Sequence, residues 1–301
     1  MDVRADDGPQ GATSSIESRP REPSVRRVLG RLGLAALAAA GLLIVRRRQV
    51  TKKLDKIEAH LTHFSGNPRA RPDVPAQVVE LALRLGSTPD RLAEFVTFTQ
   101  SGLMWRSPDS KSVRFRARQA MATVRSGFIW RATMNPFRAL SVADYFHDGN
   151  GGLVASVFNL VPIADAEPSA TLSKGQMLRY LAELPWNPDA MLANADISWS
   201  VEDETRIIAS IGQGAERAEI AFSLNDQGLI IAAHAKSRLY LHGDIEEERP
   251  WHGRFWDYQD VRGYRIPMQA EVAWVLGVKE FVYFRCMIES WRPRSFSGRE
   301  R

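Results

Sequence analysis

The chain has 301 residues, 44% of them hydrophobic, with 40 Lys or Arg against 35 Asp or Glu and a pI near 9.5. That length allows one large domain or two small ones around a sizeable core. The basic excess is local: residues 1–56 carry a net +6, leaving −1 for residues 57–301, so the body of the chain lacks the dense positive surface that nucleic acid requires. The single cysteine, Cys286, excludes an intrachain disulfide and thiolate-rich metal sites.

Residues 1–24 are rich in Gly, Ser, Pro and charge, and are expected to be disordered. An uncharged apolar run follows, "LGLAALAAAGLLIV" (Leu32–Val45), bounded by Arg31 and by Arg46, Arg47 and Arg48. Its fourteen residues would rise about 21 Å as a helix against a hydrocarbon core of ~30 Å, so a span needs the run extended back to Val28 with Arg31 snorkelling. No small-residue cleavage site follows, which favours an uncleaved transmembrane anchor over residues 25–48 and a single-pass membrane protein. Five cations before the span and six after it leave its orientation open. Residues 49–74, containing "VTKKLDKIEAHLTHF", read as a basic linker, either solvated or laid on an anionic membrane surface.

The main domain is expected over residues 75–292, with a tail at 293–301. In "PAQVVELALRL", Val78, Leu81, Ala82 and Leu85 share one helical face, with Pro75 at the start and Gly86 at the end. From about Phe95 the apolar period becomes 2. In "VRFRARQ", Val113, Phe115 and Ala117 oppose Arg114, Arg116 and Arg118; "FIWRATM" and "YRIPMQAEVAWVL" alternate in the same way. Short turn-forming links such as "HDGNGG", "GQG" and "NDQG" require antiparallel neighbours. The fold class is α+β: a long, strongly curled antiparallel sheet of about 11–12 strands, a half-barrel or barrel. An N-terminal helix, an inserted central helix and the transmembrane helix complete it.

The central helix lies in "LSKGQMLRYLAELPWNP". Ser173 with Gln176 suggests a capping box, and Pro185 ends the helix. Met177, Leu178, Leu181 and Leu184 form a stripe that must bury against the sheet, which makes the helix a lid; Arg179 and Glu183 read as a surface pair.

Catalytic signatures are sparse. No G-x-S-x-G elbow or phosphate loop is present, and Cys286 sits among apolar neighbours as a buried thiol. His60 and His63 lack a third ligand, so neither a metal nor any other cofactor is expected. Carboxylate pairs such as Asp257 with Asp260, or Glu183 with Asp189, have no separation that spacing alone can fix. "PWHGRFWDYQDVRGYRIP" is dense in aromatic and polar groups, which suits either a packed core or the wall of a ligand pocket.

The series "FRARQ", "GFIWRATM", "VADYFHDGNGGLVA", "RYLAELPWNP", "PWHGRFWDY" and "GYRIPMQAEVAWVL" resembles a family of uncharacterised, membrane-anchored bacterial proteins known as a domain of unknown function, over roughly residues 75–292. Its most specific piece contains Arg179, Tyr180, Glu183, Trp186 and Pro188; no activity comes with it. The expected topology is similar to that of periplasmic carriers that move lipoproteins, which leans the localisation toward the extracytoplasmic side.

The reading is a membrane-anchored binding protein for a hydrophobic small molecule or lipid, a lipid or acyl chain enclosed by the curled sheet and its helical lid, with the membrane as its other partner. Ligand-binding residues are expected among Trp130, Met177, Tyr180, Leu181, Trp186, Trp251, Arg254, Trp256, Tyr258 and Trp274. The alternatives are an enzyme using Tyr180, Glu183, Arg254 and Asp257, which must then converge in one cleft, or a solid-cored interaction module without an internal void.

Overall fold

The computed structural model describes residues 25–63, 68–134, 139–157, 161–166, 168–242 and 245–294; residues 1–24 and 295–301, expected as disordered N-terminus and tail, lie outside them. Two compact units are formed by residues 1–45 and 46–301. In the first, the chain is helical from Val25, and Leu42, Ile44 and Val45 are exposed.

The helix α1 (Val25–Thr62) has 38 residues, yet among the described residues no helix is long and apolar enough to cross a membrane. This overturns the expected transmembrane anchor and the single-pass localisation. The physical reason is length: the uncharged run stops at fourteen residues, and arginines close both ends too soon for a ~30 Å core.

In the second unit, thirteen strands among the described residues make one antiparallel sheet. A first meander contains β1 (Phe95–Met104), β2 (Val113–Ala122), β3 (Phe128–Met134), β4 (Leu140–His147), β5 (Asn150–Val157) and β6 (Val161–Ala166). A second contains β7 (Ser198–Asp203), β8 (Arg206–Ile211), β9 (Ala218–Leu224), β10 (Ile230–His242), β11 (Ile245–Val261), β12 (Tyr264–Leu276) and β13 (Lys279–Arg294). They join where β1 pairs with β13, Phe98 opposite Trp291, so that β6 and β7 stand at the two ends of the order. Two strands were not anticipated: β1, whose apolar alternation breaks at Gln100 and Gly102, and β6, which carries Pro162.

The sheet stays open; the expected half-barrel or barrel does not form, and the curl is not strong. Its inner face is covered by the connection between the end strands β6 and β7. This connection contains α3 (Ala170–Ala182), a 3-10 turn (Leu184–Trp186) and α4 (Pro188–Ala193). The sheet bends toward α3, which touches β4 and β5 on one flank and β8, β9 and β10 on the other. Leu181 and Leu184 are fully buried, as the lid reading requires. Each contributes about 1.5–3 kcal/mol by leaving water.

The start of α3 differs from expectation. Ser169 is the N-cap, accepting from Leu172 N at 3.1 Å, one turn before Ser173. Ser173 and Gln176 turn to the sheet instead: Ser173 Oγ accepts from Gly151 N at 2.9 Å, and Gln176 Nε2 donates to Asp144 Oδ1 at 3.1 Å. Gly151 permits this approach, since a Cβ there would lie 2.9 Å from Ser173 Cα and 3.0 Å from Leu172 O.

On the opposite face, Leu54 and Leu61 of α1, with Val50 and Ile57, pack on Ala120, Ile129, Ala143 and Val154. Arg131 bonds Asp55 and Glu58 at 2.9 Å each, and Arg118 adds a bidentate pair to Glu58. The segment expected as a solvated or membrane-facing linker therefore has its apolar face on the sheet. The short helix α2 (Ala76–Arg84) forms as anticipated, with Val78, Leu81 and Ala82 buried and Gly86 ending it at φ +94°.

Candidate functional site

The end of α3 faces the centre of the inner sheet surface, and between them lies a cavity of about 180 Å³. Trp130 from β3, Trp251 and Phe255 from β11, Tyr283 and Phe284 from β13, and Trp186 from the 3-10 turn supply its aromatic walls; Ala182 and Ala270 leave room between them. Trp186 is pinned by two bonds: its Nε1 donates to Pro267 O at 2.8 Å, and its own carbonyl accepts from Trp291 Nε1 at 2.8 Å. Its ring meets Phe98 at 5.4 Å and Phe255 edge-on at 5.6 Å. On the far wall, Trp130 Nε1 is buried with no acceptor among the described residues.

One side of the cavity is charged. Arg179 Nη1 donates to Asp144 Oδ2 at 2.7 Å and Nε to Glu183 Oε1 at 2.9 Å, while its plane lies 4.8 Å from the centre of Phe128 and 5.1 Å from that of Trp130. Gln119 closes the network, donating through Nε2 to Glu183 Oε2. Burial opposes the guanidinium charge, but Glu183 and Asp144 outweigh it, and the Arg179 pKa is held above its ordinary value. The surface pair expected at Arg179 and Glu183 is thus a buried cluster, with side chains 16% and 13% exposed. It was misplaced because α3 packs against two flanks of the sheet, so its polar side is covered as well.

Three of the ten anticipated residues, Trp130, Trp186 and Trp251, line the cavity together. Met177 and Leu181 are buried in the core beside it. Tyr180 is fully buried; its OH donates to Ala122 O at 2.8 Å and accepts from Asn194 Nδ2 at 2.7 Å, and burial raises its pKa. Tyr258 OH donates to Ile230 O at 2.6 Å. Trp256 precedes Asp257, whose φ of +57° interrupts the alternation of β11, and it is outside the cavity lining. Arg254 faces away from Phe255, bonded to Glu271 at 3.0 Å and to Glu280. Trp274 stacks on Tyr283 at 5.9 Å, behind the wall.

The four groups of the enzyme reading do not converge. Tyr180 bonds Ala122 and Asn194, Glu183 belongs to the Arg179 cluster, Arg254 lies on the other face, and Asp257 is exposed beside Gln259 and Gln269. Cys286 is buried, and burial pushes its thiol pKa up. His60 does have neighbours: His147 and Asp148 bring three ligand-capable atoms within 4.8 Å of one another, on a surface where His60 and Asp148 are 61% and 58% exposed. A second cleft of about 440 Å³ under α1 is lined by Arg46, Arg47, Arg116 and Arg131 around Val50 and Leu54.

Sequence reasoning missed Asp144, Gln119 and Arg238. Asp144 and Gln119 fall on the apolar parity of their strands, next to Phe146 and Ala117, and that was a readable signal. Arg238 lies over Trp251 at 5.1 Å and Trp274 at 5.8 Å, and lines the cavity.

The fold thus places an aromatic cavity with a few oriented polar groups between one helix and an open antiparallel sheet. The chain belongs to a family of unknown function, DUF6920, which matches residues 73–292. No curated protein matches it. Among solved structures, a LolA superfamily protein from Nitrosomonas europaea is 11% identical with a TM-score of 0.40, covering 73% of this chain and 93% of that one. A DUF1329 family protein from Desulfovibrio piger is 10% identical, TM-score 0.44, covering 78% and 96%. A domain from Vibrio parahaemolyticus named for outer membrane lipoprotein sorting is 8% identical, TM-score 0.42, covering 74% and 93%.

Proposed function

We propose that this protein binds a hydrophobic ligand, a lipid or acyl chain, in the cavity between α3 and the sheet. The observation that carries the proposal is the partly open aromatic pocket bounded by Trp130, Trp186, Trp251 and Phe255. A packed interior has few voids larger than a water molecule, whereas about 150 Å³ of apolar cavity suffices to take up benzene. The space here, about 180 Å³, accepts an aromatic ring or a short length of alkyl chain; a longer chain has to continue beyond it. A solid-cored module has no use for such a space, and an enzyme would need the four dispersed polar groups brought together.

Native mass spectrometry of the full chain, with uptake of a fluorescent fatty acid, tests the proposal. Retention of an apolar molecule through purification, or saturable uptake, is expected. Protein that is ligand-free in every preparation and takes up no fatty acid contradicts it.

A further inference from the structure

The ligand class can be narrowed, on the premise that the cavity binds an apolar chain, by the way Arg238 is presented to it. Along β10 the pairing with β11 runs Ala235 opposite Trp251 and then Arg238 opposite Arg249, a shift of one residue across Lys236 and Ser237. In an unbroken strand, residues 235, 237 and 239 would share the inner face. The bulge instead puts Arg238 and the core residue Tyr240 on that face, and leaves Lys236 and Ser237 exposed. A local break in pairing thus turns a cation toward an aromatic cavity.

Among the described residues no carboxylate pairs with Arg238, whose contacts are the faces of Trp251 and Trp274. Its direct cross-strand neighbour is a second guanidinium, Arg249, which is paired with Glu247 at 2.5 Å and has a buried Nε without an acceptor. Like charges placed directly opposite destabilise a sheet. On the other side of the cavity the situation is reversed: Arg179 is already claimed by Asp144 and Glu183, so that wall disfavours an incoming anion.

We infer that the ligand is an anionic amphiphile, its carboxylate or phosphate seated on Arg238 and its apolar chain on the rings of Trp251, Phe255 and Trp186. Guanidinium presents a planar fork suited to either oxyanion, and a charge-assisted bond in a partly desolvated site is about twice as strong as a neutral one.

The test is isothermal titration of the full chain with three probes of one chain length: decanoate, decyl phosphate and neutral decanol. Decanoate or decyl phosphate is expected to bind about tenfold or more tightly than decanol, and the tighter of the two names the head as a fatty-acid carboxylate or a lipid phosphate. Arg238→Gln should remove that preference, lowering anion affinity about tenfold or more relative to decanol measured on the same variant, and Arg238→Lys should restore part of it. Thermal melting of Arg238→Gln should change little, because losing the ring contacts with Trp251 and Trp274 is offset by relief of the repulsion from Arg249. Equal affinity for decanol and both anions in the native protein overturns the assignment of Arg238 and leaves the cavity reading standing. Failure of all three probes to bind overturns both.

Discussion

Arg179 of α3 and Asp144 of β4 meet at 2.7 Å with side chains only 16% and 17% exposed, and the same guanidinium holds Glu183 one helical turn on. This contact fixes the end of α3 over the sheet, and so sets the width of the cavity. Removing one partner of a buried pair leaves the other charge desolvated and short of a bond. Asp144→Ala is therefore expected to cost about 3 kcal/mol in urea unfolding, and Asp144→Asn, which keeps one acceptor, clearly less. A loss under about 0.5 kcal/mol would mean the pair behaves as an exposed one.

Tyr180 supports the fold rather than the ligand. Tyr180→Phe removes the hydroxyl between Ala122 O and Asn194 Nδ2; Ala122 O keeps the bond from Asn187 Nδ2 at 3.1 Å, but Asn194 Nδ2 is left without its acceptor in the core, a cost of about 1–3 kcal/mol. Chemical denaturation should show that loss while fatty-acid uptake at saturation is unchanged. Reduced uptake by a fully folded variant would return Tyr180 to the site.

Stability should also depend on His234. Burial, reinforced by His252, Arg206 and Arg254, lowers its pKa below the ordinary 6.5. The folded state therefore favours the neutral ring, and its contribution is present above pH 6.5. As pH falls from there through the lower folded value, the unfolded chain binds the proton first, and stability drops. Melting curves from pH 7 downward should show this decline, and His234→Gln should flatten it; an unchanged slope in the variant would assign the decline to other groups.

Much of this architecture was legible because strand alternation is a direct imprint of a two-sided sheet. The stripe Met177, Leu178, Leu181 and Leu184 was enough to place α3 on the sheet; the apolar alternation of "FIWRATM" put Trp130 on a sheet face, and ring density marked the stretch around Trp251. Other features were hidden for identifiable reasons. Arg179 looks like half of a surface i,i+4 pair because helical spacing cannot show that α3 packs against two flanks of the sheet. Arg238 looks outward in the period-2 pattern, since a bulge changes parity without any mark in composition. Asp144 and Gln119 were within reach, as polar residues at positions that alternation assigns to the core. The expected anchor rested on apolar content around Leu32–Val45, and length decided against it.

Filling the cavity should block the ligand. Ala270 lines the cavity but is only 3% exposed, so Ala270→Leu projects into the cavity while crowding packed neighbours, at a cost of about 1–3 kcal/mol. Fatty-acid affinity of the folded variant should fall about tenfold or more. A destabilised variant with native affinity would mean the space at Ala270 is not where the chain sits.

Quenching of tryptophan fluorescence by a fatty acid brominated along its chain tests the central claim most directly, because bromine quenches only at contact and Trp130, Trp186 and Trp251 form the walls. Saturable quenching by the brominated acid is predicted, absent with its unbrominated counterpart and strongly reduced in Ala270→Leu. Binding of the brominated acid without quenching, or quenching of equal depth in the filled variant, would place the ligand elsewhere and contradict the account.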